Sequence, residues 1–282
     1  MSQQLIRSVG RRNDEMNNKL GSPIAYGRTA EIYAWENGQV LKLFYDWFQL
    51  KNIEYEKRIS RAVHASGLPV PSVGEIIQRD GRNGLMYEHV EGISMSEMMP
   101  RKPWGIFRYA RRMAELHVEM HASTIRADIP NQRQHIRRKI SQAEVLPAAL
   151  QSKILTAFET MSEGNRLCHG DFHPGNIMVT GQDEIIIDWI DTTLGNPLAD
   201  LARTSIIIIG SVETGENRNP LTKAFIRVFH STYLRHYFSL RPGGENEYSR
   251  WLPIVAAARL SENISELEKW LIVQAKMVSQ IG

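Results

Sequence analysis

Cysteine is nearly absent from this sequence: Cys168 is the single one in 282 residues. A disulfide scaffold is thereby excluded, and a lone thiol fits a reducing compartment. Long apolar runs are missing too. The densest, residues 206–209, is four isoleucines closed by Gly210, far short of the roughly 20 residues that span a bilayer. The first eighteen residues, MSQQLIRSVGRRNDEMNN, hold no apolar core of the kind a signal peptide needs. A cytoplasmic protein without a membrane partner is the expectation. Charge of one sign is scarce as well: 34 Lys and Arg face 31 Asp and Glu, a net +3. That gives no general case for a nucleic-acid or membrane surface. No repeat at solenoid periods and no low-complexity tract is present.

What is there is ordinary globular composition, 42% apolar and 23% charged, which excludes a mostly disordered chain. The length suggests about two domains, or one with two lobes. Residues 1–20 are polar and read as a loose arm. Residues 23–44 read as three short strands, with Glu36-Asn37-Gly38 as a hairpin turn. A helix over about 49–65 stops at Gly67, and strands over about 72–79 and 85–90 follow. After Gly92 the period changes. Residues 104–122 place Ile106, Tyr109, Met113, Leu116 and Met120 on one helical face. Further helices are expected over about 131–142, 147–162, 197–209, 219–239 and 263–279. The one strand-like region among them is a hairpin at 176–189. The layout is a small mainly β part at 21–91 and a larger mainly α part at 92–282. Clefts between such parts are common places for small-molecule sites.

The chemistry concentrates in HGDFHPGNIMVTGQDEIIIDWID, residues 169–191. Asp171 and Asn176 share a glycine-flanked loop. Asp188 follows three isoleucines at the end of the hairpin, which returns it toward them. Singly, each is an Asx-turn or strand-end residue. Together, Asn176 and Asp188 offer hard oxygens suited to Mg²⁺, and Asp171 is a third carboxylate able to take a proton from a hydroxyl. Lys42, mid-strand in VLKLF, needs a partner, because a lysine on a mostly apolar strand is costly alone. The next helix offers Glu54 and Glu56.

The segment resembles the aminoglycoside phosphotransferase and choline kinase family, small-molecule kinases of protein-kinase-like fold. His169-Gly170-Asp171-Phe172-His173-Pro174-Gly175-Asn176 matches that family's catalytic loop, and Ile187-Asp188-Trp189 its metal-binding segment. Protein kinases more often carry Arg at the position of Gly170 and Phe-Gly after the metal aspartate. The resemblance covers about residues 20–209. It implies a bilobal α+β fold, with a five-stranded antiparallel N-terminal lobe bearing one helix and a mainly α C-terminal lobe. It implies ATP and Mg²⁺ as cofactors, Asp171 as catalytic base, Asn176 and Asp188 as metal ligands, and His169 as a brace. It implies that Asp200 is a buried aspartate bonded to the catalytic loop. The acid that holds Lys42 lies about eleven residues before the glycine that ends its helix, which favours Glu56 over Glu54. Gly27 and Thr29, some fifteen residues before Lys42, fall at the phosphate loop, although Gly27 alone remains of the fuller G-x-G-x-x-G pattern. The carbonyl of Glu88 and the N–H of Val90 fall at the adenine edge.

The acceptor implied is a hydroxyl of a small molecule: an aminoglycoside, an amino alcohol or a sugar-like metabolite. Candidate contacts are His173, Asp191, Glu213, Trp251 and Glu262. The acids suit a cationic acceptor, and a pocket-lining Trp251 would suit a quaternary ammonium. Two rival readings stand beside this one. A protein kinase would need an activation segment, but eleven residues separate Asp188 from Asp200. A non-catalytic nucleotide-binding module would most simply have lost Asp171, Asn176 or Asp188. His117 and His121 have a zinc-like spacing but no evident third ligand. Cys168 reads as a buried inert thiol, and residues 133–139 as a solvated basic face.

Overall fold

The computed structural model describes residues 20–125, 127–181, 183–213 and 219–280. The arm expected at 1–20 lies, apart from Leu20, outside them. The N-terminal part of the molecule is a five-stranded antiparallel sheet with one helix: β1 (Ala25–Tyr26), β2 (Ala30–Trp35), β3 (Gln39–Phe44), then helix α1 (Leu50–His64), β4 (Val73–Arg79) and β5 (Arg82–Glu88), in the order β1-β2-β3-β5-β4. The β2–β3 hairpin closes through Asn37 and Gly38, both at positive φ (56° and 69°). That is the conformation for which Asn-Gly turns are selected. In β3 the side chains of Leu41 and Leu43 face the core while Lys42, paired in register with Ile32 and Leu85, turns to the other face. Helix α1 buries Ile53, Glu56, Ile59, Ser60 and Val63, a helical stripe that places Glu56, not the exposed Glu54, against the sheet.

The chain then runs through β6 (Ile93–Ser94), α2 (Met95–Arg101), α3 (Ile106–Ala122), α4 (Gln132–Gln142), α5 (Ala148–Glu159), β7 (Arg166–Cys168), β8 (Ile177–Val179), β9 (Glu184–Ile186), β10 (Thr193–Gly195), α6 (Pro197–Glu213), α7 (Pro220–Leu240), α8 (Glu245–Arg259) and α9 (Ser265–Lys276). Burial of Tyr109, Met113, Leu116 and Met120 fixes α3 in the main core, each such side chain contributing on the order of 2 kcal/mol. Its other buried groups meet α7, where Tyr233 and Tyr237 are fully buried.

Four departures from the sequence expectations have physical causes. Helix α8 was not anticipated: Gly243 and Gly244 precede it and Pro253 lies inside it. Its second half, from Trp251 to Arg259, is buried nearly all round, so it carries no amphipathic stripe there. Helix α2 was missed behind Pro100, although Ser94 accepts a hydrogen bond from the N–H of Glu97, the S-x-x-E start signal. The strands β6, β7 and β10 are two or three residues long, too short for an alternating pattern. Residues 133–139 are not a uniformly solvated face. The Arg133 guanidinium lies 4.6 Å from the Phe158 ring, and Lys139 pairs with Glu262 at 3.1 Å.

Candidate active site

Strand β3 and helix α1 set the sheet side of the site. Lys42 Nζ donates to Glu56 Oε1 at 2.7 Å and to Asp188 Oδ1 at 3.1 Å. Tyr87 on β5 donates its hydroxyl to the same Glu56 oxygen at 2.8 Å. Burial lowers the Lys42 pKa, but the charges of Asp188 and Glu56 outweigh it and hold the ammonium charged well above its usual range. The Gly27 turn is tied lightly: Gly27 N–H donates to the Ala30 carbonyl at 2.8 Å and Tyr45 N–H to the Thr29 carbonyl at 3.0 Å. The Arg28 side chain makes no hydrogen bond to a described residue, and neither does the Thr29 hydroxyl. Beyond β5, Glu88 takes the Ser72 N–H on its carboxylate at 3.1 Å. The Val90 N–H meets no described partner.

The loop between β7 and β8 sets the helical side. Asp171 Oδ2 accepts from Asn176 Nδ2 at 3.2 Å and faces His173 Nε2 at 3.5 Å. His173 Nδ1 accepts the Gly175 N–H at 3.0 Å, so its proton is on Nε2, directed at Asp171. Burial raises the Asp171 pKa, but His173, Arg203 and His169 overcome it and hold the carboxyl below the ordinary aspartate range. Oδ1 of Asp171 accepts no hydrogen bond from a described residue. His169 ties the loop to the metal-type segment: Nδ1 accepts the Asp171 N–H at 3.2 Å, and Nε2 donates to the Ile187 carbonyl at 3.1 Å. Asp188 then sits at φ 65°, a left-handed conformation that costs a non-glycine residue about 1–2 kcal/mol. Gly170 is at φ 79°, and a Cβ there would lie 2.4 Å from the Asp191 carbonyl oxygen. A glycine is therefore required between His169 and Asp171.

Asp200, in the first turn of α6, anchors the whole loop. Its Oδ1 accepts the Gly170 N–H at 2.8 Å, and its Oδ2 accepts the His169 N–H at 2.8 Å. Oδ2 also accepts from Nε2 of His117 at 3.1 Å and of His121 at 3.3 Å. Each histidine takes a tyrosine hydroxyl on Nδ1, from Tyr233 and Tyr237 respectively. Burial would raise the Asp200 pKa, but these donors keep it well below the usual range, while burial first of all drives His117 down to about 3 and lowers His121. The cluster is an aspartate clamped by two neutral histidines. Asp200 is the third group missing from the zinc-like reading, but both Nε2–H groups are turned onto it as donors, the wrong polarity for a cation. The histidine spacing on α3 was the available signal; its partner lay eighty residues away.

The remaining candidates divide. Asp191 packs its backbone on Gly170 and shares a recess with Lys139, Thr193 and Arg203. Burial raises its pKa. His173 lies against Asp171, as above. Glu262 is engaged by Arg203 Nη2 at 2.6 Å and Lys139 Nζ at 3.1 Å, so it is not a free acid awaiting a cationic acceptor. Glu213 is the last residue of α6, paired with Arg227 at 3.4 Å. It lies thirteen residues beyond Asp200, about 20 Å along the helix, too far to contact an acceptor at Asp171. Trp251 is 2% exposed and packs edge-on to Phe158 with centroids 6.0 Å apart. Its ring is core, not a wall for an ammonium group. Cys168 is buried, and burial pushes its thiol pKa well up, which suits an inert thiol. Arg203, whose Nε donates to the Gly170 carbonyl at 2.9 Å, and Arg259 were not singled out from sequence. Nothing local marks Arg203 as facing this recess, or Arg259 as lying beside Glu262.

Comparison with known proteins places this geometry. No curated protein sequence matches the chain. Among solved structures, a thermostable mutant of aminoglycoside phosphotransferase APH(4)-Ia in its apo form is similar, with TM-score 0.65 at 13% identity over 92% of this chain and 93% of that one. A choline/ethanolamine kinase family protein from Mesorhizobium loti gives TM-score 0.63 at 15% identity over 95% and 90%. The amicoumacin kinase hAmiN, solved with AMP-PNP, Ca²⁺ and Ami, gives 0.60 at 14% over 92% and 87%. At these identities the likeness is one of fold, the bilobal α+β kinase-like fold. The family model described as the phosphotransferase enzyme family matches residues 40–242, more than half of the chain. The chain belongs to the phosphotransferase enzyme family.

Proposed function

We propose that the protein transfers the γ-phosphoryl group of ATP to a hydroxyl of a small molecule. The observation that carries this reading is Lys42 Nζ bonded at once to Glu56 and Asp188, which joins the sheet side to the segment beside Asp171. Lys42, held by Glu56 and Tyr87, would fix the α/β-phosphates. The Gly27–Thr29 turn would lie over them, and the backbone of Glu88 and Val90 would take the adenine edge. APH(4)-Ia has been solved with AMP-PNP and hygromycin B, which supports an ATP-type nucleotide.

The donor set fits a hard divalent cation. The second carboxylate oxygen of Asp188, whose side chain is 42% exposed, accepts no hydrogen bond from a described residue. Neither does Oδ1 of Asn176. Two such oxygens leave room for water and phosphate, as Mg²⁺ prefers. Mg²⁺ bound there would offset charge on the transferred phosphoryl group. Asp171 would orient the acceptor hydroxyl through its open Oδ1 and take the proton late, since a carboxylate held at low pKa is a weak base. Phosphoryl transfer demands mainly positioning, so that weakness is tolerable.

An ADP-release assay over hydroxylated metabolites, amino alcohols and aminoglycosides tests the reading. Acceptor-dependent ADP release that requires Mg²⁺ is expected. Release indifferent to every acceptor would contradict it. A protein-kinase reading is disfavoured by the eleven residues between Asp188 and Asp200, which leave no room for a peptide-docking activation segment.

A further inference from the structure

Arg259 closes α8 and is 9% exposed. Its Nε and Nη1 are shut off from solvent with no hydrogen-bond partner among the described residues. The carboxylate within ion-pair reach is that of Glu262, whose Oε2 is 3.8 Å from Nε, too long for a hydrogen bond. Glu262 is moreover shared, since its other oxygen takes Arg203 at 2.6 Å and Lys139 at 3.1 Å. Three cations therefore gather on one carboxylate. Asp191 offsets one of them, because the charges of Lys139 and Arg203 act on it. The charge of Asp171 also acts on Arg203 and Arg259, so what Arg259 lacks is not a counter-charge but an acceptor for its Nε and Nη1 among the described residues. His135, which lines a recess with Lys139, Asp191 and Arg203, has its pKa held down at about 3, first by burial and then by Lys139, Arg138 and Arg203.

The place matters as much as the charge. Arg203 is bonded to the Gly170 carbonyl, the residue before Asp171. Asp171 on one side and Arg28 of the Gly27 turn on the other are near enough for their charges to act on Arg259. A buried guanidinium whose donors lack acceptors destabilises a fold. Burial draws this one down to about 10, and a site that keeps such a cost is a candidate for function.

We infer that Arg259, backed by Arg203 and Lys139, seats an anionic group of the phosphate acceptor, so the substrate is a hydroxyl compound bearing a carboxylate. The planar guanidinium fork matches a carboxylate in two parallel hydrogen bonds. The inference rests on the kinase reading only in assigning that anion to an acceptor. It reverses the expectation of a cationic substrate, which named the acids Asp191, Glu213 and Glu262; Asp191 is itself under the charges of Lys139 and Arg203.

The test uses a pair matched in chain length and opposite in charge, 4-hydroxybutyrate and 4-amino-1-butanol, titrated into the full-length protein loaded with Mg·AMP-PNP at constant ionic strength. Saturation-transfer NMR reads binding in the wild type, Arg259→Met and Arg259→Lys. The wild type should bind the hydroxy acid at least tenfold more tightly than the amino alcohol. Arg259→Met should lose that preference while melting no lower than the wild type, and Arg259→Lys should keep part of it. No preference, or preference for the amino alcohol, overturns the inference. So does an Arg259→Met protein that keeps the preference but loses AMP-PNP affinity, which would assign the arginine to the nucleotide phosphate. Selective binding without phosphoryl transfer under Mg·ATP would leave the anion seat standing and remove the kinase reading. Transfer to the amino alcohol alone would do the opposite.

Discussion

On the helical side of the cleft the Asp171 loop is tied through its backbone; on the sheet side the Gly27 turn is tied by two backbone hydrogen bonds and little else. Asp200 takes the N–H groups of His169 and Gly170, His169 takes that of Asp171, and the anchor itself is clamped by His117 and His121, which are held by Tyr233 and Tyr237. Opposite, the Arg28 and Thr29 side chains make no hydrogen bond to a described residue. The difference follows the work each side would do. A carboxylate that aims a hydroxyl must stay within a fraction of an ångström of its place, whereas a loop over phosphates must open to admit the nucleotide. Lys42 is intermediate: its strand is rigid, and its ammonium reaches across to Asp188.

The contrast can be broken from either side. Asp200→Asn keeps the shape but replaces one acceptor oxygen with a donor that meets donors, and it removes a buried charge. It should cost about 3–5 kcal/mol of stability, read by urea unfolding, and activity should fall with it. A loss below 1 kcal/mol would mean the clamp is dispensable. Lys42→Met strands the buried Glu56 carboxylate with Tyr87 as its hydrogen-bond donor, so it should lower stability, and in the protein that remains folded it should lower kcat/KM on the order of 10²-fold. Wild-type turnover in that variant would remove the bridge between the two sides.

Acid should find the helical side first. His117 and His121 have folded pKa values below their ordinary 6.5. Their contribution is complete above pH 6.5 and is lost as pH falls toward the folded values, because the unfolded chain takes protons that the folded one refuses. Each adds a slope of about 1.4 kcal/mol per pH unit in that window. Lys42 runs the other way: its pKa is raised, so its contribution is present below 10.5 and is lost only as pH climbs past it. Melting temperatures from pH 7 to 4 should therefore fall, and His121→Gln should flatten the fall; an unchanged slope would contradict the neutral clamp. The smallest effect belongs to Gly27→Ala. Gly27 is not at positive φ, and an added Cβ would meet the Ala30 carbonyl oxygen at 3.3 Å, so KM for ATP should change less than about threefold, a free-energy change under roughly 0.7 kcal/mol. A tenfold change would show that the turn is fixed as tightly as the Asp171 loop.

Legibility in the sequence followed the range of each interaction. The strand around Lys42, the helix that presents Glu56 and the Asp171–Asn176 loop are local patterns, and their periodicity or spacing can be read along the chain. Helix α8 was hidden because its second half, buried on every side, has no stripe. Arg259 was hidden with it: an unpartnered arginine is visible only once Glu262, Arg203 and Lys139 have been brought round it. Trp251 and Glu213 misled for the same reason. Residue type suggested a pocket, while the helix that carries each one decides whether it can reach Asp171.

The most direct test of Asp171-dependent phosphoryl transfer is to follow label from ATP labelled in its γ-phosphate into a panel of hydroxylated acceptors, comparing the wild type with Asp171→Asn. Label should appear in an acceptor with the wild type and fall about 10³-fold with the variant, while AMP-PNP binding stays within a few-fold. Equal transfer by both proteins would contradict the assignment of Asp171.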